Sequence, residues 1–369
     1  FAIERVVAVL VIACPHALGL AVPLVASIST TMGAKNGLLV RKRLSLEAAR
    51  NIDIVLFDKT GTLTKGTFAV DTILTNVNYS EEDVTRLAVS VNSQSEHPLA
   101  KAISLYAQEK SIIPVPISNF ERVAGKGAKA TVDNSLVAIG NEALVADFGA
   151  TFPKEYATKV LELEKQGKTV VHIVQEKQLV GSIALADVIR SEAKEAIVTL
   201  KTMGIKTVMI TGDAEDVAAW VAKELDLDEY FAKVLPHEKS EKVRLLQSKG
   251  NKVAMVGDGV NDAPALTQSD LGIAIGAGTN VAIESAGIVL VKSDPRDIPK
   301  IIRLSKLTYR KMIQNLFWAT GYNVIALPIA AGVLYTQGIM LNPAVAAVFM
   351  SLSTVIVSIN AVLLRGEKL

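Results

Sequence analysis

Ile52-Asp53-Ile54-Val55-Leu56-Phe57-Asp58-Lys59-Thr60-Gly61-Thr62-Leu63-Thr64 is the stretch whose reading decides the fold. A short apolar run closed by a carboxylate, then by glycine and hydroxyl residues, reads as a buried strand with Asp58 at its carboxyl end. Backbone N–H groups of such a loop can hold a phosphate while the carboxylate attacks it. Two later runs repeat the pattern. Thr207-Val208-Met209-Ile210 leads into Thr211-Gly212-Asp213, and Lys252-Val253-Ala254-Met255-Val256 leads into Gly257-Asp258. Helical patterns lie between the later runs, from Arg190 to Met203, Asp216 to Leu225 and Lys239 to Lys249. Strands alternating with helices predict an α/β fold, a doubly wound parallel sheet with its active site at the strand carboxyl ends.

Outward from this region the texture changes twice. From Phe68 to Ile183, alternating β-rich segments such as Thr169-Val170-Val171-His172-Ile173-Val174 mix with helices after Ser80 and Pro98. This predicts a separate α+β domain inserted just after the first strand. Half of the 369 residues are hydrophobic, and the excess collects at the two ends. Val6 to Thr31, Leu316 to Leu334 and Ala344 to Leu364 are each apolar enough for a transmembrane helix. Lys35, Arg41, Lys42, Arg43, Arg303, Lys306, Arg310, Lys311, Arg365 and Lys368 flank them on one side, which makes the large middle region cytoplasmic. The chain opens at Phe1 inside an apolar run that has no basic start, so it reads as a piece of a longer polypeptide rather than a secretory signal. The net charge of +2 gives no electrostatic case for a nucleic-acid partner, and a single cysteine excludes an internal disulfide framework.

Cys14-Pro15-His16 falls in the middle of the first span. A proline there removes a helix hydrogen bond and frees a carbonyl, and polar groups at that depth mark function. Thiolate beside imidazole suits a transition metal. The other spans add Tyr322, Asn323, Met350 and Ser353, with no Asp, Glu or Lys inside them, and a thioether favours copper.

The heptapeptide Asp58 to Thr64 resembles the phosphorylation motif of P-type ATPases within the haloacid-dehalogenase-like superfamily. Thr211-Gly212-Asp213, Pro236 with Lys239, Gly257-Asp258-Gly259-Val260-Asn261-Asp262 and Ala263-Pro264-Ala265-Leu266 extend the resemblance in the same order. With the Cys-Pro-His span, the chain resembles the Cys-Pro-His subclass of copper-exporting P-type ATPases, the CopB type. The resemblance implies that ATP phosphorylates Asp58 and that Mg²⁺ is held by Asp58, Asp258, Asp262 and the Thr60 carbonyl. Lys239, Thr211, Gly212 and Asp213 would then serve the phosphoryl group. It implies further that Glu96, His97, Gly125, Gly127 and Asn141 contact ATP, and that Asp187 and Arg190 form a hinge pair. Cys14, His16, Tyr322, Asn323, Met350 and Ser353 would face the transported ion, with Cu(I), Cu(II) and Ag(I) all admitted.

The expected organisation is a membrane helix over 1–34, a linker and first part of the phosphorylation domain over 35–67, and a nucleotide-binding domain over 68–183. The rest of the phosphorylation domain follows over 184–314, and two membrane helices over 315–364. An actuator domain with its Thr-Gly-Glu loop, further helices and a copper donor would be the partners, in the lipid bilayer of a prokaryotic plasma membrane. Three other readings stay open here: the same chemistry on zinc or cobalt, a non-enzymatic metal-binding membrane module, and a membrane-anchored phosphatase. In phosphatases of the superfamily the position two after the nucleophile is usually an Asp acid/base, and Thr60 in that place argues against the phosphatase, as the intact catalytic set argues against the metal-binding module.

Overall fold

A computed structural model describes residues 2–276 and 278–369. A seven-stranded sheet runs in the order Leu38–Val40, Ile288–Leu290, Leu271–Ile275, Val253–Gly257, Ile54–Asp58, Lys206–Ile210, Glu229–Phe231. Met255 lies beside Gly272, Ala274 beside Val289 and Tyr230 beside Met209 in parallel pairs, whereas the edge strand Leu38–Val40 pairs antiparallel with Ile288–Leu290. Every residue of Ile54–Asp58, Val253–Gly257 and Leu271–Ile275 is buried. Helices on both faces of a parallel sheet exclude water from both sides, so these strands read as unbroken apolar runs. The expected α/β fold is what forms.

Two compact units divide the chain: Phe1–Val55, Val198–Lys206 and Ser240–Leu369 make one, Leu56–Ile197 and Thr207–Lys239 the other. In the first, the helices Ala2–Ile12, His16–Lys35, Asp297–Ala331 and Pro343–Leu363 pack together through small side chains. Ala8, Ile12, Ala330 and Ala346 form one contact cluster, and Ala17, Ala21, Ala319 and Val357 another. Small residues let apolar helices approach closely where no hydrophobic drive operates between them. Their outer faces carry exposed Val6, Leu10, Phe317, Val324, Val348 and Ile359. Buried Arg5 donates to the Leu341 carbonyl at 2.8 Å, fastening the loop that follows Gly332.

The first expected span is broken. Its helix stops at Ile12 and restarts at His16, with Cys14 and Pro15 outside both pieces. By length and composition, the segments Ala2–Lys35 and Pro343–Gly366 suffice to cross a membrane. The middle span, expected from Leu316 to Leu334, is part of a helix that starts at Asp297 and ends at Ala331, capped by Gly332 at φ 92°. It is not one of the two that meet that criterion among the described residues. Its apolar part is shorter than the sequence suggested.

The second unit holds a six-stranded antiparallel sheet in the order Thr64–Thr75, Gln178–Ile189, Thr169–Gln175, Ser135–Gly140, Gly127–Val132, Ile117–Val123. Successive residues of one strand serve opposite faces. Ile183 and Leu185 join the core under the helices Glu81–Asn92 and Pro98–Glu109, while Ala184 joins the core under Lys154–Lys165. Ser80 starts the first helix with a capping box, its hydroxyl taking the Asp83 N–H at 3.1 Å and Asp83 taking the Ser80 N–H at 2.9 Å.

On the Lys154–Lys165 side lies a buried polar chain. The Tyr156 hydroxyl donates to Ser182 at 2.8 Å, and Ser182 Oγ is 2.7 Å from His172 Nδ1. Burial pushes the His172 pKa from 6.5 down to about 4. The folded chain therefore keeps His172 neutral where the unfolded chain binds a proton. Stability present above pH 6.5 is lost as the pH falls through about 4, by up to about 3 kcal/mol. Pulse proteolysis in urea should show this decline for the domain, and His172→Gln should flatten it. An unchanged pH profile in the variant would place the acid sensitivity elsewhere.

Candidate active site

Asp58 closes the strand Ile54–Asp58 and is 7% exposed. Burying a carboxylate is costly unless a charge or donors compensate it. Lys239 supplies the charge, with Nζ 2.6 Å from Asp58 Oδ1. After Asp58 the chain turns sharply: Thr60 is extended at φ −73°, ψ 130°, and Gly61 adopts φ 75°, which favours glycine. Thr62 and Thr64 are buried beneath the turn.

Three side chains fix that loop. The Arg190 Nε donates to the Thr64 carbonyl at 2.9 Å, and its NH2 donates to the Gly61 carbonyl at 3.2 Å. The Thr64 hydroxyl donates to Asp187 Oδ2 at 2.6 Å. Lys59 forms an ion pair with Asp213, whose carboxylate also accepts the Thr211 hydroxyl at 2.8 Å. The unit thus gathers Asp58, Lys239, Thr211 and Asp213 with the loop that carries Thr60.

In the other unit, Asp258 follows the strand Val253–Gly257, and Asp262 folds back on the same turn. Asp262 Oδ2 accepts from the Asp258 N–H at 3.2 Å and the Gly259 N–H at 3.1 Å. A Cβ on Gly257 would lie 2.7 Å from Asp262. Thr279 and Gly278 also belong to this turn: the Thr279 N–H donates to the Asp258 carbonyl at 2.8 Å, and a Cβ on Gly278 would lie 2.5 Å from that oxygen. Sequence reasoning missed them, although glycines directly after the apolar run Leu271–Ile275 were a signal.

A cavity of about 590 Å³ opens in the second unit, with His97, Gly125, Gly127 and Asn141 on its walls. His97 is the N-cap of the helix Pro98–Glu109, and its Nδ1 accepts the Leu99 N–H at 3.3 Å. Asn141 caps the next helix and its Nδ2 donates to the Gly125 carbonyl at 3.1 Å. A Cβ at Gly127 would lie 2.1 Å from the Ile139 carbonyl oxygen, whereas Gly125, at φ 69°, has nothing within 4 Å. Glu96 is exposed beside His97 and is not one of the lining residues; Asn92, Ser95, Arg122 and Thr169 are, and the sequence did not single them out.

Among the helices of the first unit, Cys14 and Met350 line one groove. Tyr322 packs against the cluster of Ala8, Ile12, Ala330 and Ala346. Asn323 Oδ1 and Ser353 Oγ are buried without a hydrogen-bond partner. His16 is exposed and does not line the groove.

The family model of haloacid dehalogenase-like hydrolases matches residues 52–270. The chain belongs to that family. Within it, the chain is 54% identical over 365 residues to the copper-exporting P-type ATPase B of Archaeoglobus fulgidus, covering 99% of this chain and 52% of that protein. It is 47% identical over 365 residues to the copper-exporting P-type ATPase B of Enterococcus hirae, with 99% and 49% covered. The chain spans about half the length of the curated relatives it matches. Among solved structures, a zinc-transporting PIB-type ATPase in its E2.Pi state superposes with a TM-score of 0.87 at 35% identity, over 96% of this chain and 56% of that one. A catalytic domain of the CPx-ATPase CopB-B gives 0.56 at 27% identity, over 74% and 98%. These are the relatives expected from the heptapeptide and the Cys-Pro-His span.

Two substitutions separate steric from conformational roles in the cavity wall. Gly127→Ala must move backbone and should cost about 3 kcal/mol or more in domain stability. Gly125→Ala meets only the positive φ and should cost about 1 kcal/mol. Urea midpoints of the two variants check this, and equal losses would show that the Gly127 contact relaxes freely.

Proposed function

We propose that this chain is the catalytic and ion-binding half of an ATP-driven copper-exporting pump, with Asp58 as the residue phosphorylated. The observation that carries the reading is the buried Lys239–Asp58 pair at the mouth of the loop Asp58 to Thr64. Asp58 attacks the γ-phosphorus of ATP; a carboxylate O–P bond forms, the bond to the bridging oxygen breaks, and ADP leaves with that electron pair. Lys239 and the Thr211 hydroxyl face the charge that spreads over the transferring phosphoryl oxygens. Arg190, through the Gly61 and Thr64 carbonyls, holds the loop so that its N–H groups stay aimed. Thr60 offers no carboxylate to activate water, so the aspartyl-phosphate persists long enough to drive a conformational change.

The motifs in which they stand make Asp58, Asp258 and Asp262 the carboxylates that would hold a divalent ion. A donor set made wholly of hard oxygens fits Mg²⁺, with the Thr60 carbonyl as a further ligand. The ion when bound supplies charge to neutralise the phosphate oxygens. ATP would sit in the cavity of the inserted domain, between His97 and the Gly125 to Gly127 turn.

The cargo site is read from chemistry. Cys14 and Met350 offer sulfur across one groove, and Asn323 and Ser353 hold buried oxygens with no partner. Sulfur donors favour copper and silver. His16 would join them after a rotation of the break at Cys14-Pro15. The superposition with a zinc transporter keeps zinc as a second reading. The remaining half of the pump, with an actuator domain, would hydrolyse the phosphoenzyme, and the helices would lie in a prokaryotic plasma membrane.

Phosphorylation of the full-length pump with γ-labelled ATP tests this, with Cu(I), Cu(II), Ag(I) or Zn(II) added. Label should answer best to copper or silver, vanish in Asp58→Asn, and lose its metal dependence in Cys14→Ala. A response to zinc alone would remove the copper assignment while leaving the enzyme. Label that survives Asp58→Asn would overturn the reading of the site.

A further inference from the structure

The cavity of the inserted domain has an uneven lining. Leu99, Ala100, Ile103, Val123, Ala128 and Ile139 make much of it apolar. Two lining residues carry formal charge, Arg122 and Lys126, both positive, and no carboxylate lines it. Lys126 is already engaged, with Nζ 2.5 Å from Asp147 Oδ2. The nearest acidic neighbour of Arg122 in sequence, Glu121, is taken by Lys129 at 3.0 Å. The Arg122 side chain makes no hydrogen bond and no ion pair among the described residues, and it is exposed at the end of the strand Ile117–Val123. It stands opposite Ala128 in the sheet register, next to the Gly125 to Gly127 turn.

An unpaired guanidinium on the wall of an apolar cavity, with no carboxylate to neutralise it, is an anion receptor in waiting. Its planar fork presents parallel donors suited to phosphate oxygens. A ligand that is apolar and flat at one end and anionic at the other matches both parts of the lining. We propose that Arg122 binds the α- and β-phosphates of the nucleotide whose base rests on the apolar floor of this cavity. The inference rests on the reading of the cavity as the ATP site and adds the residue that holds the phosphates there.

The test is calorimetric titration of the detergent-solubilised pump with ATP, ADP and adenosine, for wild type, Arg122→Ala and Arg122→Lys, with Lys177→Ala as a charge-matched control outside the cavity. Arg122→Ala should weaken ATP and ADP by about tenfold and adenosine by less than twofold. Arg122→Lys should recover part of the loss, because it restores charge without the fork, and Lys177→Ala should bind as wild type. Unchanged ATP affinity in Arg122→Ala would overturn the proposal. Equal losses for ATP and adenosine would overturn it as well, by showing that Arg122 only shapes the wall. Wild type that binds neither ATP nor adenosine would remove the nucleotide reading of the cavity and the proposal with it, whereas wild type that binds both leaves the Arg122 comparison decisive.

Discussion

The Lys239–Asp58 pair joins two side chains that are 10% and 9% exposed, with Nζ 2.6 Å from Oδ1. Withdrawing two charges from water is expensive, and attraction between them repays it only when the geometry is held. The surrounding architecture supplies that hold. The strand before Asp58 is buried along its whole length, so the backbone that carries the carboxylate has nowhere to move. The loop after it is fixed from outside by Arg190 and by the Thr64–Asp187 bond. The carboxylate thus stays close to its cation.

The same fastening connects that loop to the domain built on the six-stranded sheet. Thr64 begins the strand that enters that domain, and Ile189, its register partner, ends the strand that leaves it. Arg190 follows immediately, and its N–H donates to the Leu63 carbonyl at 3.0 Å. The entry and exit of the domain are therefore stitched to the loop that bears Asp58, by residues separated from it by more than a hundred positions in sequence. A displacement of those two strands is felt first at Gly61 and Thr64.

Much of this was legible because it is local. Apolar runs ending in Asp, Thr or Gly marked strands of the seven-stranded sheet, and the heptapeptide marked the carboxylate that closes one of them. What depended on distant partners was not. Glu96 neighbours His97 in sequence, but the start of the helix at Pro98 decides which of them turns toward the cavity, and His97 is spent as its cap. Arg122 carries no local signal, since its interest comes from neighbours that pair with other residues. The span from Leu316 looked longer because Val333 and Leu334 are apolar, yet Gly332 had already ended the helix. Cys14-Pro15 announced a kink, and the helix breaks there altogether because Pro15 lacks the N–H that would carry the ladder on.

A chain of side-chain hydrogen bonds runs among the apolar helices of the first unit. Lys311 Nζ donates to Asn360 Oδ1 at 3.2 Å, Asn360 Nδ2 to Asn315 Oδ1 at 2.7 Å, and Asn315 Nδ2 to the Ala21 carbonyl at 3.1 Å. Asn315 is fully buried, so neither end of its amide has water to fall back on. The helix that bears it starts at Asp297, and the one it touches starts at His16. Gradual sliding of these helices would leave a buried donor and a buried acceptor empty at once, while a move of a full helical repeat could re-form both. The bundle is built like a detent, tolerant of steps and resistant to drift.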